Sequence, residues 1–144
     1  MGETKLVPRD GVKPAPAPPR KTILVVDDQA TIRNILTQVM RLQGYEVLSA
    51  IDGLDALKIV LDTPGRIDVL ITDLSMPRMG GEELIEHTAL LRPEMKTICL
   101  SAAFSSVSLK QAVLFLPKPF SLSTLTSMVK SAFESTVKKD AMTG

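Results

Sequence analysis

The chain has little of several features that define whole classes of protein. It contains a single cysteine, Cys99, so it can form neither an internal disulfide nor a cysteine-based metal site, and a reducing compartment is expected. Its 17 basic and 16 acidic side chains nearly cancel, which argues against a nucleic-acid-binding protein with a basic face. No apolar run is long enough to span a bilayer, and the N-terminus lacks the apolar core of a signal peptide. We therefore expect a cytoplasmic protein that binds neither nucleic acid nor a membrane.

What the sequence does contain divides into a proline-rich start and a longer apolar remainder. Residues 1–20 hold five of the ten prolines, and the run PAPAPP favours extended polyproline II because proline fixes φ and lacks a backbone donor. We expect a flexible tail or linker there; the alternative is a PxxP ligand for a partner domain. The remainder is long enough for one domain with a real core, which we place at residues 21–138, before a short tail at 139–144.

After Lys21 the sequence alternates between short apolar runs and amphipathic stretches. The apolar runs predict five strands, at residues 22–26, 45–50, 67–71, 97–100 and 113–116. Helical spacing predicts helices between them and after the last one, and this alternation is typical of βαβ units. The predicted fold class is α/β: a flavodoxin-like, doubly wound (βα)5 domain with a five-stranded parallel sheet.

Aliphatic residues at helical spacing predict which helix faces pack on the sheet. In the first helix they are Ile32, Ile35, Leu36, Val39 and Leu42. In the second they are Leu54, Leu57, Ile59 and Leu61. Gly44 is expected to end the first helix and Asp52 to cap the second.

Polar residues follow the predicted strands where their carboxyl ends meet, which is where ligands bind in such folds. Asp27 and Asp28 follow the first strand, Asp73 the third, Ser101 the fourth and Lys118 the fifth. Carboxylates this close cannot all ionise unless a cation compensates them, and an all-oxygen cluster suits Mg²⁺. A carboxylate nucleophile, a hard cation and an ammonium group together indicate phosphoryl transfer to a carboxylate.

Four motifs carry a resemblance to a known family. They are VVDD at 25–28, TDLSMPRMGG at 72–81, LSA at 100–102 and KPF at 118–120. In this order, over about residues 21–138, they resemble the receiver domain of bacterial response regulators, of the single-domain or hybrid-kinase type.

The resemblance implies a role for each matching position. Asp73 matches the phosphoacceptor; Asp27 and Asp28 match the acidic pair that holds Mg²⁺, with Asp28 the direct ligand. The backbone carbonyl of Ser75 matches the third protein ligand of the metal.

The remaining matches concern the response to phosphorylation. Ser101 matches the hydroxyl that turns toward the phosphoryl group, and Lys118 matches the lysine that pairs with it. Phe115 matches an aromatic switch, and Pro119 matches a proline preceded by a cis peptide.

The implied function is that of a phosphoacceptor in a phosphorelay, not of an enzyme with an external substrate. A histidine kinase or histidine phosphotransfer protein would supply the phosphoryl group, and a conformational change would signal to a downstream protein. We expect no output domain in this chain. The alternative is a partner-binding module of the same fold that is insensitive to phosphorylation.

One segment departs from the family pattern. Only 16 residues separate Ser101 from Lys118, and they must hold a loop, the fourth helix and the fifth strand. We therefore expect a shortened fourth helix, as in receivers of hybrid sensor kinases.

Other interpretations compete with these assignments. A nucleotide- or flavin-binding module would need a glycine-rich loop where this chain has DDQAT. A haloacid-dehalogenase-type phosphatase would need a second aspartate at the position of Ser75. Asp28 could instead cap the first helix, Phe115 could simply be core, and Cys99 is expected to be buried packing.

Overall fold

The computed structural model describes residues 20–101 and 113–143, with side chains described as far as Glu134. Nine elements alternate along this part of the chain. They are β1 (Thr22–Val26), α1 (Ala30–Leu42), β2 (Glu46–Ala50), α2 (Gly53–Asp62), β3 (Val69–Asp73), α3 (Gly81–Leu91), β4 (Lys96–Ser101), β5 (Leu114–Pro117) and α4 (Leu122–Thr143). The predicted fourth helix and its shortening fall on residues 102–112, outside the described residues.

The five strands form one parallel sheet in the order β2-β1-β3-β4-β5. This order confirms the flavodoxin-like, doubly wound topology predicted from the sequence. From β1 the chain adds β2 on one side of the sheet and then β3, β4 and β5 on the other side. The order of addition therefore reverses between β1 and β3, and the crevice at this switch point lies beyond the carboxyl ends of these two strands.

Alternate side chains of the apolar strands form a core on each face of the sheet. Ile23 and Val25 of β1 pack with α1 and α4 on one face. Leu24 and Val26 pack with α2 and α3 on the other. Because both faces are covered, β1 and β3 are buried along almost their whole length, which fixes the groups at their ends.

The helix faces that meet the sheet differ in part from those predicted. In α1 the buried residues are Leu36, Thr37 and Met40, whereas Leu42 is 84% exposed. In α2 they are Gly53, Ala56 and Val60, while Leu54 and Leu61 face outward. The start of α2 lies close to the loop before α3, since a Cβ at Gly53 would be only 2.5 Å from the Met79 carbonyl oxygen.

Local signals at the element ends behave as physical chemistry predicts. Gly44 follows α1 with φ of 97°, and Asp52 caps α2 by accepting the Asp55 N–H at 2.9 Å. The third strand begins at Val69, two residues later than predicted, and just before it the Asp68 carboxylate accepts the Thr22 N–H at 2.8 Å. In the part of the chain described, no helix has the length and apolar character needed to cross a membrane.

Candidate functional site

Three carboxylates meet at the carboxyl edge of the sheet. The pairing of Val26 with Thr72 in the β1–β3 ladder places Asp27 beside Asp73, and Asp28 follows in the next loop. Each of the three offers an oxygen within 4.8 Å of the others. The structure thus brings together the acidic residues that the sequence singled out.

Asp27 is the most buried member of this acidic cluster. Its Oδ1 accepts the Gln29 N–H at 2.9 Å, but its Oδ2 has no hydrogen-bond partner and lies 4.0 Å from Lys118 Nζ. Burial raises the pKa of Asp27 and the charge of Asp73 raises it further, while the hydrogen bond from Gln29 lowers it. Lys118 is therefore the only described cation near this oxygen, and it lies beyond hydrogen-bond distance.

Lys118 supplies the cation that the cluster has. Its Nζ lies 3.3 Å from Asp73 Oδ1, which also accepts the Leu74 N–H at 2.8 Å. The Lys118 N–H donates to the Ser101 carbonyl at 2.8 Å, which joins the start of the loop after β5 to the end of β4. Asp73 and Lys118 are thus paired before any ligand arrives.

Asp28 is exposed and does not cap α1. The capping position belongs to Gln29, which makes no side-chain cap hydrogen bond, so the helix-cap interpretation of Asp28 is wrong. Arg33 of α1 donates to the Asp27 carbonyl at 2.8 Å and so ties the loop that carries Asp28 to the helix behind it.

The loop from Leu74 to Gly80 closes tightly beside the cluster. The Gly81 N–H donates to the Leu74 carbonyl at 2.9 Å, and a Cβ at Gly81 would lie 2.2 Å from the Asp73 carbonyl. Only glycine allows α3 to start this close to Asp73. Ser75 lies exposed within this loop.

The sequence did not predict how this loop is attached to the start of α2. Arg78 has φ of 68°, and its guanidinium donates to both carboxylate oxygens of Asp52, at 2.6 and 3.0 Å. The motif at 72–81 contains Arg78 but assigns it no role, and its partner lies 26 residues earlier in the chain.

The remaining predicted residues lie around the site. Ser101 is buried at the end of β4, and the peptide bond between Lys118 and Pro119 is cis. Phe115 is half-buried, pairs in register with Cys99 and packs against the core shared with α2 and α3. Cys99 is fully buried, and burial is the main cause that raises the pKa of its thiol to about 12, which suits packing rather than reactivity.

The donor set of the cluster fits a hard divalent cation. It consists of carboxylate oxygens, and one of them, the buried Oδ2 of Asp27, has no hydrogen-bond partner. Among the described residues only Lys118 forms ion pairs with the cluster. Mg²⁺ favours such oxygen sites with few carboxylates and several waters. Asp27, Asp28 and Asp73 are the carboxylates that could hold it.

An apolar groove of about 530 Å³ adjoins the site. Ile32 and Ile35 of α1 line one side of it, Phe120 and Leu122 the other, and Lys118 forms part of its wall. Ile35 is 42% exposed and Leu122 is 39% exposed, so a partner can reach the groove.

Comparison with known proteins gives a consistent assignment. The sequence profile described as response regulator receiver domain matches residues 23–130. The DNA-binding transcriptional regulator NtrC of Azospirillum brasilense is 35% identical over 126 residues, which cover 84% of this chain and 26% of that protein. Sensor kinase CckA of Brucella abortus is 34% identical over 118 residues, covering 78% of this chain and 12% of that protein.

The fold agrees with solved structures as well. The response regulator TrrA of Thermotoga maritima, crystallised in complex with Mg²⁺ and BeF, superposes with a TM-score of 0.70 at 33% identity, over 78% of this chain and 98% of that one. The chain spans about a quarter of NtrC and about an eighth of CckA, so those whole proteins have further parts. The chain belongs to the response regulator receiver domain family, whose members are signalling domains of two-component systems that interact with histidine kinases and downstream effectors.

Proposed function

We propose that this chain is a cytoplasmic phosphoacceptor that takes a phosphoryl group from a phosphohistidine onto Asp73. The observation that carries the proposal is the pairing of Asp73 Oδ1 with Lys118 Nζ at 3.3 Å inside a cluster of three carboxylates. A nucleophilic carboxylate beside a fixed ammonium is suited to bind a group that is itself negatively charged.

The chemistry that these residues support is an in-line displacement. A carboxylate oxygen of Asp73 forms a bond to phosphorus while the bond from phosphorus to the imidazole nitrogen of the donor breaks. The nitrogen keeps the bonding electrons, and the donor leaves as neutral imidazole when its other ring nitrogen carries a proton. Lys118 moves from pairing with the free carboxylate to pairing with the phosphoryl oxygens, and the Ser101 hydroxyl donates to the same group.

Mg²⁺, held by Asp28, Asp73 and the Ser75 carbonyl, would neutralise the phosphoryl oxygens when bound. The protein's own part is to hold the carboxylate oxygens of the cluster in place before the phosphoryl donor arrives. The hydrogen bond from Leu74 to Asp73 and that from Gln29 to Asp27 fix two of the three carboxylates. Such fixed geometry lowers the reorganisation needed at the moment of transfer.

The apolar groove is the proposed contact for the protein that carries the phosphohistidine. That protein must bring its imidazole to Asp73, and Lys118 belongs to both the site and the groove wall. Exposed Ile35 and Leu122 offer apolar contacts that a helix of the donor can cover. Phosphorylation then biases Ser101 and Phe115 between two arrangements, which a downstream partner distinguishes.

The proposal is tested by phosphorylation in the absence of any partner. With Mg²⁺ and acetyl phosphate, the intact protein should gain the mass of one phosphoryl group, and hydroxylamine, which cleaves acyl phosphates, should remove it. Asp73→Asn should abolish the gain. Asp68→Asn is the matched control, since Asp68 is equally buried at the opposite end of β3 and should leave phosphorylation intact.

The outcome also separates the two functions considered. A phosphorylation-independent binding module would gain no mass under these conditions and would show no saturable response to Mg²⁺. Either finding with the folded wild-type protein would contradict the proposed function.

A further inference from the structure

The start of α2 and the loop after β3 are joined by one ion pair, here called the Arg78–Asp52 clamp. Arg78 Nε donates to Asp52 Oδ2 at 2.6 Å and Nη2 donates to Oδ1 at 3.0 Å, a two-point geometry that fixes orientation as well as distance. Asp52 is 3% exposed and caps α2, so it is an anchored partner. The clamp therefore fastens a loop to a fixed helix end.

The backbone around Arg78 is held in an unusual conformation. Arg78 is the only residue other than glycine with a positive φ among the residues described. The Met79 N–H donates to the Pro77 carbonyl at 2.8 Å, which closes a γ-turn around Arg78, and turns with a positive central φ are rare and strained. Glycine would adopt this φ without strain, so an arginine at this position favours a role for its side chain.

The clamp acts on the same loop that carries Ser75. Gly53, the first residue of α2, donates its N–H to the Met79 carbonyl at 3.0 Å, while Gly81 donates to Leu74. The loop is thus fixed at its end by α3 and at its far side by α2. Between these two attachments lies Ser75, whose carbonyl is a ligand in the proposed function.

We propose that Arg78 is a positioning residue for the divalent cation site. By clamping Asp52 it holds the loop of residues 74–80 in the one conformation that presents the Ser75 carbonyl to Asp28 and Asp73. The inference rests on the proposed function, because it assumes that a cation binds there. It extends that function by assigning a role to a pair of residues outside the cluster.

The test compares Mg²⁺ affinity between matched variants, followed by amide chemical shifts during a Mg²⁺ titration. Arg78→Gln should weaken Mg²⁺ binding by roughly tenfold, the scale on which outer-shell partners affect metal sites. Asp52→Asn should do the same while keeping a good helix cap, and the double variant should be no weaker than either single one. Arg78→Lys should restore part of the affinity.

Two controls separate positioning from general stability. Arg66→Gln breaks a similar pair, since Arg66 Nε lies 2.9 Å from buried Asp68 at the other end of β3, and it should leave Mg²⁺ affinity unchanged. Arg78→Gly removes the clamp together with the strain at this φ, so it should fold at least as well as Arg78→Gln and still bind Mg²⁺ weakly.

Each result decides the matter. Equal affinity in the wild type and Arg78→Gln overturns the inference and leaves the proposed function standing. Equal losses in Arg66→Gln and Arg78→Gln also overturn it, because the effect would then follow stability alone. A wild-type protein that does not bind Mg²⁺ overturns the inference and the proposed function together.

Discussion

The two ends of the sheet treat a buried aspartate in opposite ways. At the amino edge, Asp68 accepts the Thr22 N–H at 2.8 Å with one oxygen and contacts Arg66 at 2.9 Å with the other. At the carboxyl edge, Asp27 has one oxygen without a hydrogen-bond partner, 4.0 Å from Lys118 Nζ, and two carboxylates beside it. The amino edge pairs its carboxylate fully, whereas the carboxyl edge has three carboxylates and one lysine, an excess of negative charge that a cation can reduce.

The largest effect is expected when the buried aspartate at the amino edge of the sheet is removed. Asp68→Ala should lower the free energy of unfolding by about 2–3 kcal/mol, because it leaves the part-buried Thr22 N–H without an acceptor and removes the partner of Arg66. Urea unfolding measures this loss. Asp68→Asn keeps an acceptor and should lose clearly less. Equal losses in the two variants would mean that the hydrogen bond to Thr22 is not the cause.

The next effect concerns the groove beside the carboxyl edge. Ile35→Asp should slow phosphotransfer from a histidine phosphotransfer protein about tenfold, since it puts a charge into an apolar contact. Phosphorylation by acetyl phosphate should be unchanged. The control is Leu61→Asp, because Leu61 is 61% exposed near the far end of α2. A similar slowing in both variants would exclude the groove as the contact surface.

A smaller effect of opposite sign is expected at Asp27. Asp27→Asn keeps an acceptor for the Gln29 N–H but removes one of three crowded charges, so without Mg²⁺ it should raise the free energy of unfolding by about 1 kcal/mol. Added Mg²⁺ should stabilise the wild type and have less effect on the variant. Thermal unfolding with and without Mg²⁺ provides the measurement. If Asp27→Asn were less stable than the wild type without Mg²⁺, the crowded carboxylates would not be destabilising the carboxyl edge, and the contrast with the amino edge would be wrong.

The smallest effect is a pH dependence at the clamp. The hydrogen bonds from Arg78 are the main cause that lowers the pKa of Asp52, and the N–H of Asp55 contributes. The folded-state pKa is thus below the ordinary value of 3.8, so this stabilisation is present above pH 3.8 and is lost as the pH falls through the folded-state value. The melting-temperature difference between the wild type and Asp52→Asn should therefore shrink in acid. A difference that stays constant with pH would show that the charge of Asp52 is not involved.

Much of this architecture could be predicted because it follows from local pattern. Short apolar runs between amphipathic stretches indicate a parallel sheet, and parallel strands bring their carboxyl ends to one edge. That was sufficient to bring Asp27, Asp28 and Asp73 together with Lys118. Each of these residues ends or follows a strand, so only strand order was needed to place them.

Other features depend on contacts that spacing does not encode. The leucines of α2 have helical spacing, yet the buried residues of this helix are Gly53, Ala56 and Val60. Arg78 contacts Asp52, 26 residues earlier, from a backbone with positive φ, and sequence pattern predicts neither feature for an arginine. The predicted boundaries of the tail and domain, and the shortened fourth helix, remain predictions.

The position of Asp73 at the end of β3 has a consequence for amide hydrogen exchange. All five residues of β3 are buried, and the strand is paired on one side with β1 and on the other with β4. Such central strands exchange their amide protons only through unfolding of the whole domain, whereas loops exchange through local opening. The proposed phosphoacceptor is thus attached to slowly exchanging backbone. Any change that reports its phosphorylation must therefore appear first in the protection of the surrounding loops.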